Sequence, residues 1–384
     1  MVTIPGMMTP TVFRRFSAWC LALLIGCGSV HASWVMAQGQ DPGGRQPSIL
    51  MTGSQRLTAD ERAFAGQLAD ALRHALTQHA PEATLAVSYA ATDDENHAAD
   101  RALAIQLAPY VPPSHLFSCD EAAACGRVAV AIHFQAPWSP ADTLFSAAIN
   151  PYVRFEYVAP SLDVSAEAPL FSDVALALYA YATGDCATAL PILQRINAQP
   201  WTWRARGAST PTMAFLQAQC HRAQGNHPAA IDILQAIHEA LPDDLKISAY
   251  LADSLAQNFE FEAALALDDR NIAVASDQLE NTGNPQDERW LAELYLLRGQ
   301  HRLYLYQWDA ALADHNAALA LEHAPPRAYY FRGLLYYTQN ARQAAYDDLA
   351  RYLELETEPA SPLISLAEHY VTELASLLTT PPAE

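Results

Sequence analysis

The feature that most restricts what this chain can fold into is a spacing. Gly299 and Gly333 lie 34 residues apart, as do Ala311 and Ala345, and each glycine precedes its alanine by 12 residues. The surrounding text recurs as well: Gln307-Trp308-Asp309-Ala310-Ala311-Leu312-Ala313-Asp314 parallels Arg342-Gln343-Ala344-Ala345-Tyr346-Asp347-Asp348. Each unit closes on an apolar run followed by proline, Ala318 to Leu321 before Pro325 and Tyr352 to Leu355 before Pro359. A period of this length suits one supersecondary unit whose apolar face is buried only by a neighbour like itself. Two antiparallel helices approach closely only where small side chains meet. Gly299 and Gly333 supply that on the first helix, Ala311 and Ala345 on the second. Proline then ends the second helix, because its ring and missing N–H cannot continue the hydrogen-bond ladder.

This pattern resembles the tetratricopeptide repeat (TPR) family. Weaker copies precede it: Gly184 with Ala189 and Gly225 with Ala230 keep one five-residue offset, with Leu193 and Leu234 at matching places and Pro200 and Pro242 closing the units. Ala264 falls 34 residues after Ala230, although Phe259 stands where glycine is expected and Asp268 where an apolar residue should pack. Five candidate units result, near residues 170–203, 211–244, 245–278, 292–325 and 326–359. Extra residues separate the third and fourth, and the cluster of Asn, Gly and Pro from Asn281 to Asp287 predicts a break there. After Pro362, Leu363, Leu366, Tyr370, Leu374 and Leu378 have the spacing of a terminal capping helix.

The resemblance implies a concave surface on the first helices that takes up a peptide or protein segment. The residues it places there are Phe215, Gln219 and Arg222 in one unit, Gln300 and Tyr304 in another, and Arg327, Tyr330 and Tyr337 in the last. Tyrosine and arginine suit such capture, offering large contact area and a hydrogen-bonding tip. Aromatic residues at helical spacing are also ordinary core residues, and about half of these are expected to be buried. The Lys/Asn pattern by which some TPR domains clamp a carboxylate is missing, since Tyr330 and Leu334 stand in its place. The repeat register also sets the start of one second helix beside the end of the next first helix, which brings Cys186 near Cys220. A Cys119–Cys125 loop is the weaker expectation.

Arg14 and Arg15 precede an apolar stretch from Phe16 to Ile25, the order of a secretory signal. The protein is therefore expected to be exported. Leu24-Ile25-Gly26-Cys27 resembles the lipobox of bacterial lipoproteins, which would make Cys27 a lipid anchor; cleavage after Ala32 or Ala37 would instead release a soluble protein. No later stretch has the roughly 20 apolar residues a membrane helix requires. The segmentation is 1–27 signal, 28–47 flexible linker, 48–165 small α/β domain, 166–360 repeat array and 361–384 cap and tail.

Within 48–165, Thr58 and Glu61 form a capping box, and Phe64, Leu68, Leu72 and Leu76 follow along one helical face. Alternation predicts strands at Leu85-Val87-Tyr89, Val128-Val130-Ile132-Phe134 and Val153-Phe155-Tyr157, with a helix around His97 to Leu107. The fold class is thus α+β overall: a small N-terminal α/β domain followed by an all-α, TPR-like superhelical solenoid.

Enzymatic signatures are missing by inspection: there is no phosphate-cradling glycine loop, no Gly-x-Ser-x-Gly elbow and no His-Glu-x-x-His pair. The 13 histidines lack metal-ligand spacing, so neither metal nor cofactor is expected. The formal charge of -20 disfavours nucleic acid and anionic lipid. The expected function is a non-catalytic protein-interaction scaffold with an unnamed protein or peptide partner and room for self-association. The alternative is a sensor or enzyme whose α/β domain holds a small ligand.

Overall fold

The computed structural model describes residues 48–54, 56–88, 102–109, 130–137, 144, 152–159, 161–198, 212–356 and 362–379. The signal segment, Cys27, the linker, Cys119 and Cys125 lie outside the described residues. The chain divides into two compact units, one spanning Ala32–Ala240 and the other containing Leu241–Glu384.

The first unit opens with a five-stranded sheet in the order β2-β1-β3-β4-β5. The strands are β1 (Ser48–Gly53), β2 (Thr84–Ser88), β3 (Leu103–Pro109), β4 (Val130–Pro137) and β5 (Tyr152–Ala159). β1 pairs in parallel with β2 and β3, Ile49 facing both Leu85 and Leu103, while β3-β4-β5 is antiparallel, with Leu107 opposite Ile132 and Phe134 opposite Phe155. Helix α1 (Ala59–His79) joins β1 to β2. Its capping box is formed: the Thr58 hydroxyl accepts from the Glu61 N–H, and the Glu61 carboxylate accepts from the Thr58 N–H.

The helix expected over His97 to Leu107 is overturned for its described part, because residues 103–109 form the central strand β3. Leu103, Ile105 and Leu107 are fully buried and alternate with Ala104 and Gln106, a period of two that pairing on both sides enforces. The strand β1 has no counterpart among the expected elements.

Helices α2 (Val164–Ala182), α3 (Cys186–Asn197), α4 (Thr212–Ala223) and α5 (His227–Ala240) complete this unit as two hairpins. α2 shares its core with the sheet, Phe171 lying 5.8 Å from Phe134 ring to ring. The two compact units divide after the second hairpin. Cys186, which opens α3, is bonded to Cys220 near the end of α4. Non-reducing peptide mapping is expected to find this bridge, and its reduction is expected to lower stability by about 2 kcal/mol by freeing the unfolded chain. Recovery of both thiols from the native protein would contradict it.

The elements of the second unit among the described residues are all helices: α6 (Leu245–Gln257), α7 (Phe261–Thr282), α8 (Pro285–Tyr304), α9 (Trp308–Leu319), α10 (Arg327–Thr338), α11 (Arg342–Leu355) and α12 (Pro362–Thr379). Three hairpins follow one another, and α12 packs on α11 to close the apolar face through Ala367, Tyr370 and Leu374. The break in the superhelix expected from Asn281 to Asp287 is instead a tight turn between two helices that pack on each other. The extra residues lengthen α7 to 22 and α8 to 20 residues, and the turn between them needs only Gly283, left-handed at φ 59°, and Asn284, whose side chain caps α8.

Candidate interaction surface

One turn is repeated five times. Between the two helices of every hairpin stands a residue with left-handed backbone: Gly184 (φ 78°), Gly225 (φ 73°), Phe259 (φ 67°), Tyr306 (φ 58°) and Asn340 (φ 58°). In each, the next residue's N–H donates back to the carbonyl five residues earlier, as Asp185 to Ala180 and Glu260 to Leu255, at 2.8 Å in both. This is the helix-ending motif that ties off orphan carbonyls and demands one left-handed residue.

Five residues after each stands a fully buried alanine, Ala189, Ala230, Ala264, Ala311 and Ala345. Seven residues before stands the small residue of the first helix: Ala177, Ala218, Ala252, Gly299 and Gly333. Gly184 and Gly225, read from sequence as packing residues, are thus turn residues; a Cβ on either would meet nothing within 4 Å. Gly299 and Gly333 do mark close approach. A Cβ on Gly299 would lie 2.6 Å from the His315 ring, and one on Gly333 would lie 2.9 Å from Leu349.

Glycine and asparagine are the ordinary occupants of a left-handed turn, and a side chain as large as phenylalanine there is strained by about 1–2 kcal/mol. Phe259 and Tyr306 are nonetheless 77% and 54% exposed, so packing does not explain them. They head a cluster of rings. Phe259 meets Phe261 edge-on at 6.1 Å, Phe261 stacks on Tyr304 at 5.6 Å, and Tyr306 meets Trp308 edge-on at 6.0 Å. The Phe261–Tyr304 stack, with Gln257 Nε2 donating to the Tyr304 hydroxyl at 3.3 Å, sets the turns of two successive hairpins side by side.

The residues expected on a concave surface are mostly engaged inside the protein. Phe215, Gln219 and Tyr330 belong to the interior, at 5%, 5% and 2% exposure, which corrects their reading as groove residues. They lie on the sides of their helices that face other helices, Tyr330 with its ring 5.4 Å from that of Tyr352. Arg222 donates to Gln219 Oε1 at 2.8 Å. Arg327 pairs with buried Glu293. Tyr337 packs its ring at a tilt against Tyr370 at 4.9 Å and donates to Glu373 at 2.9 Å, so it anchors α12. Tyr304 belongs to the ring cluster, and Gln300 is half-buried.

The second unit also carries charges the sequence does not advertise as partners. Arg298 donates through Nε and Nη2 to Asp314 and through Nη1 to Asp269; its counterpart Arg332, 34 residues on, donates to Asp348 and to Asn316. Each arginine thereby stitches its own hairpin to the preceding one. Deeper still, His301 bonds Asp268 at 2.7 Å, with Asp253 3.6 Å away on the other side of the ring.

Elsewhere the chemistry is sparse. Among the described residues no cluster of His, Cys, Asp or Glu could hold a metal ion, and no helix is long and apolar enough to cross a membrane. In the first unit a hollow of about 50 Å³ is lined by His79, Glu82, Tyr179, Thr183 and Thr188, room for water only. Burial, and then the charge of Glu82, push the Tyr179 hydroxyl up to about 12. Most of the region from 85 to 135, where a small-ligand pocket would be sought, lies outside the described residues.

Neither a protein-family model nor a curated protein matches this sequence. Solved structures do resemble it. TTC0263, a thermophilic TPR protein of Thermus thermophilus, is 20% identical with a TM-score of 0.39, over 53% of this chain and 97% of its own. The MamA protein is 18% identical with a TM-score of 0.35, over 49% and 92%. The Cut9-Hcn1 hetero-tetramer of APC/C is 15% identical with a TM-score of 0.36, over 55% and 44%. The TPR-like character of the hairpins rests on their own geometry: the 34-residue steps, the small residues at the crossing and the repeated turn.

Proposed function

We propose that this protein is an exported, non-catalytic interaction scaffold whose repeats bind a segment of another polypeptide. The observation that carries the reading is the pair Phe259 and Tyr306. Of five equivalent turn positions, two neighbouring ones carry large exposed aromatics in a backbone conformation that disfavours them. Strain and solvent exposure kept together at one edge are an argument for a contact made outside the chain. Export is supported by the signal-like segment and by the Cys186–Cys220 bridge, which persists in oxidising compartments. The mass of the mature N-terminus decides between a diacylglyceryl group on Cys27 and a released chain.

Function and stability should separate at these positions. Phe259→Asn with Tyr306→Asn places at both turns the residue the fifth hairpin uses, and is expected to raise stability by about 1 kcal/mol while losing the captured partner. Native chain and double variant are compared as bait in envelope extract, with thermal unfolding in parallel. A variant that still captures the same polypeptide contradicts the surface, and one that unfolds earlier contradicts the strain.

A further inference from the structure

The chemistry around the ring cluster says what kind of segment it fits. The two turns, residues 257–262 and 303–309, contain Phe259, Phe261, Tyr304, Tyr306 and Trp308, the carboxylates Glu260, Glu262 and Asp309, and no lysine or arginine. All three carboxylates are exposed. The nearest arginine in sequence, Arg302, is turned inward to Asp314 Oδ2 at 2.7 Å and the Ala310 carbonyl at 3.2 Å. The third turn of the unit differs on each count: Asn340 holds the left-handed position, and its side chain accepts from exposed Arg342. Ring faces attract cations through their quadrupole, and guanidinium groups in particular lie flat on them. Carboxylates beside the rings add a second attraction, and a chain of net charge -20 is repelled by a copy of itself.

We propose that the turn edge bearing Phe259, Phe261, Tyr304, Tyr306 and Trp308 binds an arginine- or lysine-bearing extended segment of a partner protein, cations over the rings and against Glu260, Glu262 and Asp309. This rests on the scaffold reading above and names its partner class. The edge lies at the turns, away from the first-helix residues Arg327 and Tyr337, which other elements occupy. The same charge that favours a basic segment disfavours acidic peptides, nucleic acid and a second copy.

The test uses the full chain and three fluorescein-labelled 15-residue peptides of one apolar framework, carrying arginine, the uncharged isostere citrulline, or glutamate at every third position. Anisotropy titration is expected to show the arginine peptide binding at least tenfold tighter than the citrulline one, with no binding of the glutamate one. Phe259→Asn with Tyr306→Asn, which leaves the charge unchanged, should weaken the arginine peptide at least fivefold, as should Glu260→Gln with Glu262→Gln and Asp309→Asn. Asp277→Asn with Glu280→Gln, exposed residues near the far end of α7, should leave it unchanged. Equal binding of the arginine and citrulline peptides overturns the partner class and leaves the scaffold reading standing. Arginine binding that ignores the aromatic variant, or falls equally with the remote charge variant, overturns the turn edge as the site. No arginine binding at all, by a chain that still captures its partner from extract, likewise overturns the cationic class.

Discussion

His301→Leu is expected to lower stability by about 4 kcal/mol at neutral pH, whereas His301→Leu with Asp268→Leu is expected to restore it. The histidine is 1% exposed and Asp268 1% exposed, so removing the ring leaves a carboxylate buried without its main partner. The repeat itself supplies the apolar alternative. At the place of Asp268 the other hairpins carry Leu193, Leu234, His315 and Leu349, and at the place of His301 the last hairpin carries Leu335. All are buried, so leucine fits both sites by shape. Burial by itself pushes His301 down, but the charge and hydrogen bond of Asp268, with the nearby Asp253 carboxylate, hold it up at about 9. Its contribution is therefore complete below pH 6.5 and is lost as the pH climbs through 9. His315 behaves oppositely. Burial, and then the charge of Arg332, push it down to about 4, so its contribution is present above pH 6.5 and disappears as the pH falls through 4. Chemical denaturation across pH 4 to 10 checks both, and the double leucine variant should remove the alkaline limb. A single variant as stable as the native chain, or an alkaline limb that persists in the double variant, contradicts this account of the pair.

Gly299→Val is expected to lower stability by about 3 kcal/mol, near the upper end for overpacking, because the first added carbon already lies within 2.6 Å of the His315 ring. That ring has little room to turn: it is fully buried and stacks against Phe331 at 6.3 Å. The same change at Gly184, where a Cβ meets nothing within 4 Å, is harmful only through its left-handed backbone. Gly184→Asn should therefore be tolerated while Gly299→Asn is not. Equal tolerance of asparagine at both sites contradicts the distinction between turn and crossing.

The hairpins are legible in the sequence because their rule is local. A small residue, seven steps to a left-handed turn, five more to an alanine: this skeleton survives insertions, since it depends on two helices touching and on nothing further away. Glycine is the conspicuous small residue, however, and aligning on it sets Gly184 and Gly225 at the crossing instead of the turn. Ala177, Ala218 and Ala252 occupy the crossing in the first three hairpins and are inconspicuous because alanine is abundant. Phe259 stands out as a departure from the repeat; Tyr306 does not, since tyrosine before tryptophan looks like core. The offset of five residues before Ala311 is the signal that finds it.

Other elements are hidden because non-local pairing decides them. Leu103 to Pro109 follows an alanine-rich stretch of good helix formers, and only its place between β1 and β4 makes it a strand. Asp268 reads as a flaw in its helix, yet its partner His301 lies 33 residues away on the next hairpin. The arginines at 298 and 332 and the aspartates at 314 and 348 keep the repeat period, but only the packing of the two helices of each hairpin pairs them. Several residues expected to line a groove are engaged within the protein for a physical reason. First-helix residues of this unit face the neighbouring first helix, as Arg327 faces Glu293, and α12 takes Tyr337, so large polar side chains there find partners within the protein.

Hydrogen–deuterium exchange of the full chain, with and without its bound partner segment, tests the central claim most directly. The account predicts that protection on binding concentrates in the turns at 257–262 and 303–309 and the first turns of α7 and α9. Protection confined to α8 and α10, with those two turns exchanging as in the free chain, would contradict it.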